Sequence, residues 1–591
     1  MNISYIDWAI IIAFFLISML IGVLTSKKAG KNAKEFFLSG RNMPWWLLGI
    51  SMVATTFSAD TPNLVTDIVR SNGVSGNWVW WAFLLTGMLT VFVYAKLWRR
   101  SEVTTDLEFY ELRYGGKPAA FLRAFRALYL GVFFNIVIMA TVSLAAIKIF
   151  GVMLGLSSWE TLLVVSVVTV IYSSLGGLKG VLLTDFFQFF IAIGGAFAAA
   201  IYVLNLPEIG SMENLLAHPN VSGKLNLIPD FTDWNLVIPL FIMPLAIQWW
   251  ATWYPGAEPG GGGYIAQRML SAKNEKNAIG ATLLFNVAHY ALRPWPWIII
   301  ALSSLIIFPQ ISDMQEAFPN IEVGKLGNDL AYSAMLTFLP TGLIGIVMAS
   351  LIAAVMSTLS THLNWGSSYV VNDFYARFIK PEASDKELVL VGRLSTVGLM
   401  VLAALLATLL SNALEAFNIL LQIGAGTGLI FILRWFWWRI NSYTEISAMI
   451  ISFVVAVYFE SIHNRIGILP IPDDMAYLKL LIGVGITTVT WVAVTLLTKP
   501  EDDKVLLAFY RKVRPASIGW KRLLAKYPEE REETGQLPME IGLVLIASIM
   551  VYAALFAAGF WIYSMVTAAA IATIVAIGGA ILVFKGWRRM R

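Results

Sequence analysis

Apolar runs of roughly 20 residues, the length an α-helix needs to cross a hydrocarbon layer about 30 Å thick, recur from one end of this chain to the other. Hydrophobic residues fill 58% of its 591 positions and charged residues only 13%, a balance that suits lipid-embedded helices better than any soluble core. The chain therefore reads as an all-α polytopic membrane protein in contact with a lipid bilayer. The opening run "DWAIIIAFFLISMLIGVL" has span length but no basic n-region and no small-residue cleavage site, so it reads as a retained first helix rather than a signal peptide. Cysteine is absent, which excludes disulfides, thiolate metal sites and a cysteine nucleophile.

About fifteen spans are expected, near residues 6–25, 43–68, 78–98, 125–153, 159–176, 182–204, 234–255 (or 234–270), 278–308, 328–375, 389–411, 415–437, 444–459, 477–497, 540–562 and 565–587. Lysine and arginine avoid translocated loops. With the N-terminus outside and the C-terminus cytoplasmic, only Arg70, Lys224, Lys325, Arg465 and Lys479 of the 42 basic residues face the exterior, and Lys148 and Arg293 fall within spans. The charged stretch "EDDKVLLAFYRKVRPASIGWKRLLAKYPEEREETG" (501–535) is then cytoplasmic, either as a helix lying on anionic lipid or as a solvated linker. Nothing in the chain has the size of a soluble catalytic domain, and no feature points to nucleic acid.

One stretch breaks the pattern: "WWATWYPGAEPGGGGYIAQR", Trp249 to Arg268, places two prolines, a glutamate and four consecutive glycines at span depth. Non-helical backbone inside a membrane is tolerated only where it is buried in protein or lines a water-filled cavity. Transporters built from inverted halves use such breaks, in corresponding helices, to bind solute and ions near the midplane. A second break lies five spans earlier, in "SMVATTFSADTPNLVTD" (51–67), where threonines, Asp60 and Pro62 interrupt an apolar helix. Spans two and seven thus open two five-helix halves that enter the membrane from opposite sides. The competing reading is that Gly and Pro are simply common in membrane helices. A phosphate-binding loop is excluded, because no strand precedes the glycines and no Gly-Lys-Ser/Thr follows them.

A third polar element is "MASLIAAVMSTLSTHLNWGSSYVVNDFY" (348–375), in which Ser357, Thr358, Ser360 and Thr361 wrap most of one helical turn. A lone hydroxyl usually bonds back to the carbonyl one turn earlier. Four together suit a hard cation such as Na+, which takes several oxygen ligands. Asp185, in "SSLGGLKGVLLTDFFQ", is an intramembrane carboxylate and so a functional-site candidate with a bound cation as partner; the alternative is an interfacial cap beside Lys179.

In these motifs, together with "EFFLSGRNMPWWLLGISMVATTFSADT" and "AQRMLSAKNEKNA", the chain resembles the sodium:solute symporter family over roughly residues 1–500. The resemblance implies a leucine-transporter-type five-plus-five inverted repeat with one extra N-terminal helix and about four extra C-terminal helices. The expected organisation is an extra first helix and loop (1–42), a first repeat (43–204), a second, inverted repeat (234–437), accessory helices (438–500), a charged amphipathic linker (501–538) and a terminal hairpin (539–591). It also implies one sodium ion held by the carbonyls of Ala54, Phe57 and Ala354 and the hydroxyls of Ser357 and Thr358. A second ion would use Asp185, Ser357, Ser360 and Thr361, giving two Na+ per cycle and no organic cofactor.

Where sugar carriers of the family resemble one another in an acidic residue on the second core helix, this chain has "SGNWVWWAF", offering Asn77, Trp78, Trp80 and Trp81. The arginine of the sialic acid carriers has no counterpart in span four, where Asn135 is the one polar side chain of "LGVFFNIVIM". Gln422 matches a glutamine that contacts sugar. The expected solute-binding residues are Thr56, Asp60, Thr61, Asn77, Trp78, Trp81, Trp249, Trp253, Glu258 and Gln422. Tryptophan faces and a few amides and hydroxyls suit a sugar; an amino acid, a carboxylate or a nucleoside is the alternative. The expected function is sodium-coupled uptake of a small polar solute across the cell membrane by alternating access. A membrane-embedded enzyme would have to use Asp60, Glu258, His289 and His362, which lack metal-ligand spacing, and a transporter-like sensor would need an output domain.

Overall fold

The computed structural model describes residues 3–29, 38–56, 58–103, 105–173, 178–251, 258–411, 421, 424, 426–463, 471–472, 475, 477–530 and 536–590. Among these, nine helices are long and apolar enough to cross a membrane, and five shorter apolar helices accompany them. Leu, Ile, Val, Ala and Phe dominate every long segment, so the outward faces stay apolar: Leu394, Val401, Val489, Ile574 and Ile577 are all exposed. In lipid such faces are solvated by acyl chains, and helices are the form that pairs every backbone group internally.

In chain order the helices that place the site are α1 (Tyr5–Ala29), α2 (Trp45–Thr55), α3 (Asp60–Asn72), α4 (Val74–Ser101), α5 (Gly116–Leu154), α6 (Ser158–Ser173) and α7 (Leu178–Leu204). After an outer loop come α8 (Trp234–Ala246), α9 (Gly263–Ser271), α10 (Glu275–Ile307), α11 (Leu343–Ile379) and α12 (Asp385–Leu409). The chain closes with α13 (Ser442–Val457), α14 (Tyr477–Leu497), α15 (Asp503–Val513), α16 (Leu537–Ile562) and α17 (Val566–Arg589).

The core is a bundle in which α2 packs against α7 and α10, α3 against the second half of α10, and α11 against α1, α7 and α5. Asp7, on the first turn of α1, accepts from the amides of Gly342 (2.7 Å) and Gly345 (2.8 Å), which joins α1 to the N-terminus of α11. A carboxylate there satisfies amides that have no intrahelical acceptor. At the other end of the sequence, α16 packs along α4 through a buried Lys96–Glu540 ion pair and a bond from the Tyr552 hydroxyl to Trp81 O (2.9 Å). Helix α17 pairs with α16 and turns most of its surface outward.

In the described part of the 501–535 stretch, α15 lays its apolar face on protein. Leu506, Phe509, Tyr510 and Val513 of α15 are buried against protein, and Trp520 stacks on Phe509 (5.7 Å) and donates to Trp435 O (3.1 Å). Its apolar face is covered by the bundle rather than by lipid, because Trp435 and Arg113 offer it an aromatic and cationic seat: Arg113 lies 5.1 Å from the Trp520 ring.

Candidate functional site

Among the described residues, the helix is interrupted at both stretches expected from the sequence. Helix α2 stops at Thr55 and α3 starts at Asp60. Thr56 turns its hydroxyl back onto Met52 O (3.0 Å) and Val53 O (2.9 Å), so it caps the first piece instead of extending it. Asp60 and Pro62 occupy the first turn of α3, where a negative charge suits the free amides and a proline lacks no needed donor. In the second interruption α8 ends at Ala246, a short 3-10 turn spans Gln248–Trp250, and α9 begins only at Gly263. Gly260 (φ +86°) and Gly261 (φ +83°) take left-handed backbone that other residues adopt at a cost. A Cβ on Gly260 would also stand 3.1 Å from the Tyr94 ring.

The first break faces a cavity of about 80 Å³, and α9, which follows the second break, reaches the same cavity one residue into its first turn. The first break contributes Thr55, Thr56, Ser58, Asp60 and Thr61; α9 contributes Tyr264; α4 contributes Trp80 and α5 Thr141; α10 contributes His289 and Arg293; α11 contributes Thr358 and His362. A water fills roughly 10–15 Å³ by this kind of measure, so the space holds several waters or a small solute. A π-turn in α10, marked by the bond from Arg293 N to Ala288 O (3.1 Å), sets His289 and Arg293 against the first break. Fully buried, Arg293 donates from Nη1 to Thr56 Oγ1 (3.1 Å) and lies over the Trp297 ring at 5.1 Å. His362 meets Asn135 Oδ1 through Nδ1 at 2.6 Å, and Asn135 Nδ2 donates to His362 O at 2.7 Å, which fixes the imidazole at the cavity wall.

Beside the cavity lies a second polar cluster. Asp185 on α7 accepts from Ser51 (2.6 Å) and Thr55 (3.3 Å) of α2 and from Ser357 (3.4 Å) of α11. It is 1% exposed and seven residues into its helix, so it is not an interfacial N-terminal cap. Arg268 of α9, also 1% exposed, stands 3.8 Å from the carboxylate and bonds Ser51 (3.3 Å) and Thr55 (3.1 Å). Ser360 donates to Ser357 O (3.1 Å), Thr358 is buried, and Thr361 is half-buried on the same turn. Ala54 and Ala354 line a gap of about 10 Å³ between α2, α7 and α11, the size of a single water or small ion.

Of the residues expected to meet solute, Thr56, Asp60 and Thr61 line the cavity. Asn77, Trp78, Trp81, Trp249 and Glu258 do not, and each has another task. Asn77 holds Trp80, accepting from its indole N–H at 2.8 Å, so the tryptophan that reaches the cavity is the one between the two expected. Trp78 and Trp81, one turn apart, face the opposite way: Trp78 donates to Leu227 O (2.9 Å) and packs on Tyr552 (5.0 Å). Trp249 stacks edge-on with Trp250 (5.4 Å), and its carbonyl accepts from Thr86. Glu258 pairs with Arg126 and with Arg434 (3.4 Å). Phe57, Trp253 and Gln422 lie outside the described residues. Arg293 and Arg268 are the additions; Arg293 carries a signal in the sequence, being a cation within a span.

The profile of the sodium:solute symporter family matches residues 36–452, more than half of the chain. The chain belongs to that family. This symporter is 25% identical over 518 residues to the sodium/glucose cotransporter of Vibrio parahaemolyticus, covering 85% of this chain and 92% of that one. It is 26% identical over 546 residues to sodium/myo-inositol cotransporter 2 of Oryctolagus cuniculus, covering 85% and 78%. The symporter also shares its fold with a Na+-coupled sialic acid symporter solved in a substrate-bound outward-open state, with a TM-score of 0.64 at 19% identity over 85% of this chain and 100% of that one.

Proposed function

We propose that this symporter couples the inward movement of two Na+ ions to the uptake of one small polar organic solute, with a sugar as the first reading, by alternating access in the cell membrane. The observation that carries this is the break between α2 and α3, which opens on a cavity lined by hydroxyls that α9, directly after the second break, also lines through Tyr264. One Na+ would take the carbonyls of Ala54, Phe57 and Ala354 and the hydroxyls of Ser357 and Thr358; the other would take Asp185, Ser357, Ser360 and Thr361. The solute would contact Thr56, Asp60 and Thr61 together with Trp80 and Tyr264. The two halves 43–204 and 234–437 would move against each other about that site, with the N-terminus outside. The relatives' names, sodium/glucose and sodium/myo-inositol cotransporters, support a polyhydroxylated solute.

Two charges moving down about 100 mV release roughly 4.6 kcal/mol, and a tenfold sodium gradient adds about 1.4 kcal/mol per ion. Together these permit roughly 10⁵-fold accumulation, against about 10²- to 10³-fold for one ion.

A second reading, a carboxylate-bearing solute, is favoured by one observation: the Arg293 guanidinium is in the cavity wall, and guanidinium forks match carboxylates. Thermal unfolding of the purified symporter against a panel of neutral sugars, polyols, sugar acids and amino acids, with Na+ and with choline, tests both readings. Stabilisation that needs Na+ supports coupling, and the class that stabilises identifies the solute. Equal stabilisation in Na+ and choline would refute the coupling.

A further inference from the structure

Glu258 lies within the second helix break, yet it turns away from the cavity into a buried cluster of charges. Its carboxylate pairs with Arg126 on α5 and with Arg434, 3.4 Å away, beyond the helical residues 426–433. All three side chains are 2% exposed. Arg434 also bonds the Tyr110 hydroxyl (2.9 Å) and stands 3.6 Å from Glu445, so the cluster draws on five separate stretches of chain. Behind Arg434, Arg113 fixes its backbone carbonyl (2.8 Å) and is itself held under α15 and Trp520.

The chain just past Glu258 is tied to the same side. Trp98 donates to Gly260 O (2.7 Å), and Asp106 accepts from Gly263 N (2.8 Å), where α9 begins. Trp98, Asp106, Tyr110, Arg113 and Arg126 belong to the 102–115 connection between α4 and α5 or to its flanks, against which α15 of the 501–535 stretch packs. A cluster in which each charged member is 2% exposed or less would close a solute path running through it until the cluster separates. Such separation is cheap only when water enters: ions paired in a dry interior are held by strong, weakly screened attraction, and the same ions in a flooded vestibule are rehydrated.

We propose that Glu258 is the catch that keeps the pathway shut on the side of the 501–535 stretch, and that its release from Arg126 and Arg434 accompanies opening to that side. Glu258 is a positioning residue: it acts through the placement of α9 and touches neither ion nor solute. Removing its charge leaves two buried guanidiniums with only the Glu445 carboxylate, 3.6 Å from Arg434, as countercharge, an excess of positive charge relieved by opening to water. The neutral E258Q variant would therefore populate the state open on the 501–535 side. The inference rests on the transport reading, but its test does not need the solute.

The natural chain has no cysteine, so Thr141→Cys in the cavity wall is a unique reporter. Reaction with a membrane-impermeant maleimide is timed in vesicles of each orientation. Adding E258Q is expected to raise the rate from the 501–535 side about tenfold and to lower it from the opposite side, with E258D closer to the parent, as a shifted two-state equilibrium requires. Rates within about twofold of the parent from both sides, in folded E258Q protein, would overturn the proposal. If E258Q cannot be recovered folded, E258D is measured instead: a rise of about threefold or more from the 501–535 side supports the catch. Unchanged rates, or failure of both variants to fold, would make the cluster a stability element and overturn it. Absence of sodium-driven uptake would count against the transport reading and leave the labelling result standing.

Discussion

Ser51 donates its hydroxyl to Asp185 across 2.6 Å, joining the first half of the broken helix to the start of α7. Through Ser357, 3.4 Å from the other carboxylate oxygen, the same aspartate reaches α11. Helices α2, α7 and α11 thus share one buried carboxylate, with Arg268 at 3.8 Å as its countercharge.

Asp185→Asn removes that anion and leaves Arg268 buried without it, so it is expected to lower the Na+-to-solute ratio from two towards one while some transport persists. The ratio is read from parallel isotope uptake in proteoliposomes; an unchanged ratio of two would remove Asp185 from the ion path. Ser357→Ala, whose hydroxyl serves both proposed ions, should raise the half-saturating Na+ concentration about tenfold or more, equivalent to roughly 1.4 kcal/mol.

Arg293→Gln keeps hydrogen-bonding capacity at the Thr56 wall but loses the charge. If the solute carries a carboxylate, its apparent affinity should fall about 10- to 100-fold, in line with the roughly 1.5–3 kcal/mol of a hydrogen bond to a charged group. A neutral sugar should lose less than about fivefold. Competition by sugar and sugar acid against a common labelled solute separates the cases.

Gly260→Ala and Gly261→Ala each force a side chain onto left-handed backbone, and the second would bring Cβ to 2.6 Å from the Met269 methyl. Each should destabilise the protein by on the order of 1–3 kcal/mol. Gly223→Ala is the control, with φ −74° and open space around its Cβ, and should leave the melting temperature unchanged.

On the connection before α5, burial pushes the Glu111 carboxyl up, but bonds from Arg377 and Arg123 outweigh it and hold the group below its ordinary 4.5. A depressed carboxyl contributes stability that is fully present above the unfolded-state value and is lost as pH falls through the folded one. Melting temperature should therefore drop below about pH 4, and less steeply in Glu111→Gln. Identical acid profiles would show that this ion cluster contributes nothing.

Both helix breaks are legible in the sequence because their residues are poor helix interior: Asp60 with Pro62 in one, and four glycines in the other. The hydroxyl turn at 357–361 is legible for the same reason, as polarity set inside an apolar run. Side-chain direction is not legible. Trp78, Trp80 and Trp81 are chemically alike, and which of them meets the cavity is decided by Tyr552, which bonds Trp81 O from 471 residues away. Glu258 likewise looks like a site residue until Arg126 and Arg434 are seen beside it. An amphipathic helix such as α15 presents the same apolar face whether lipid or protein covers it, so sequence leaves that choice open.

Sodium-driven uptake tests the central claim most directly. Purified protein in proteoliposomes is given the solute found by thermal unfolding, first with an inward Na+ gradient and then with equal Na+ on both sides. The account predicts accumulation well above the external concentration with the gradient and simple equilibration without it, and loss of the accumulation in Ser357→Ala. Equal accumulation with and without the gradient, or uptake that ignores Na+ altogether, would contradict it.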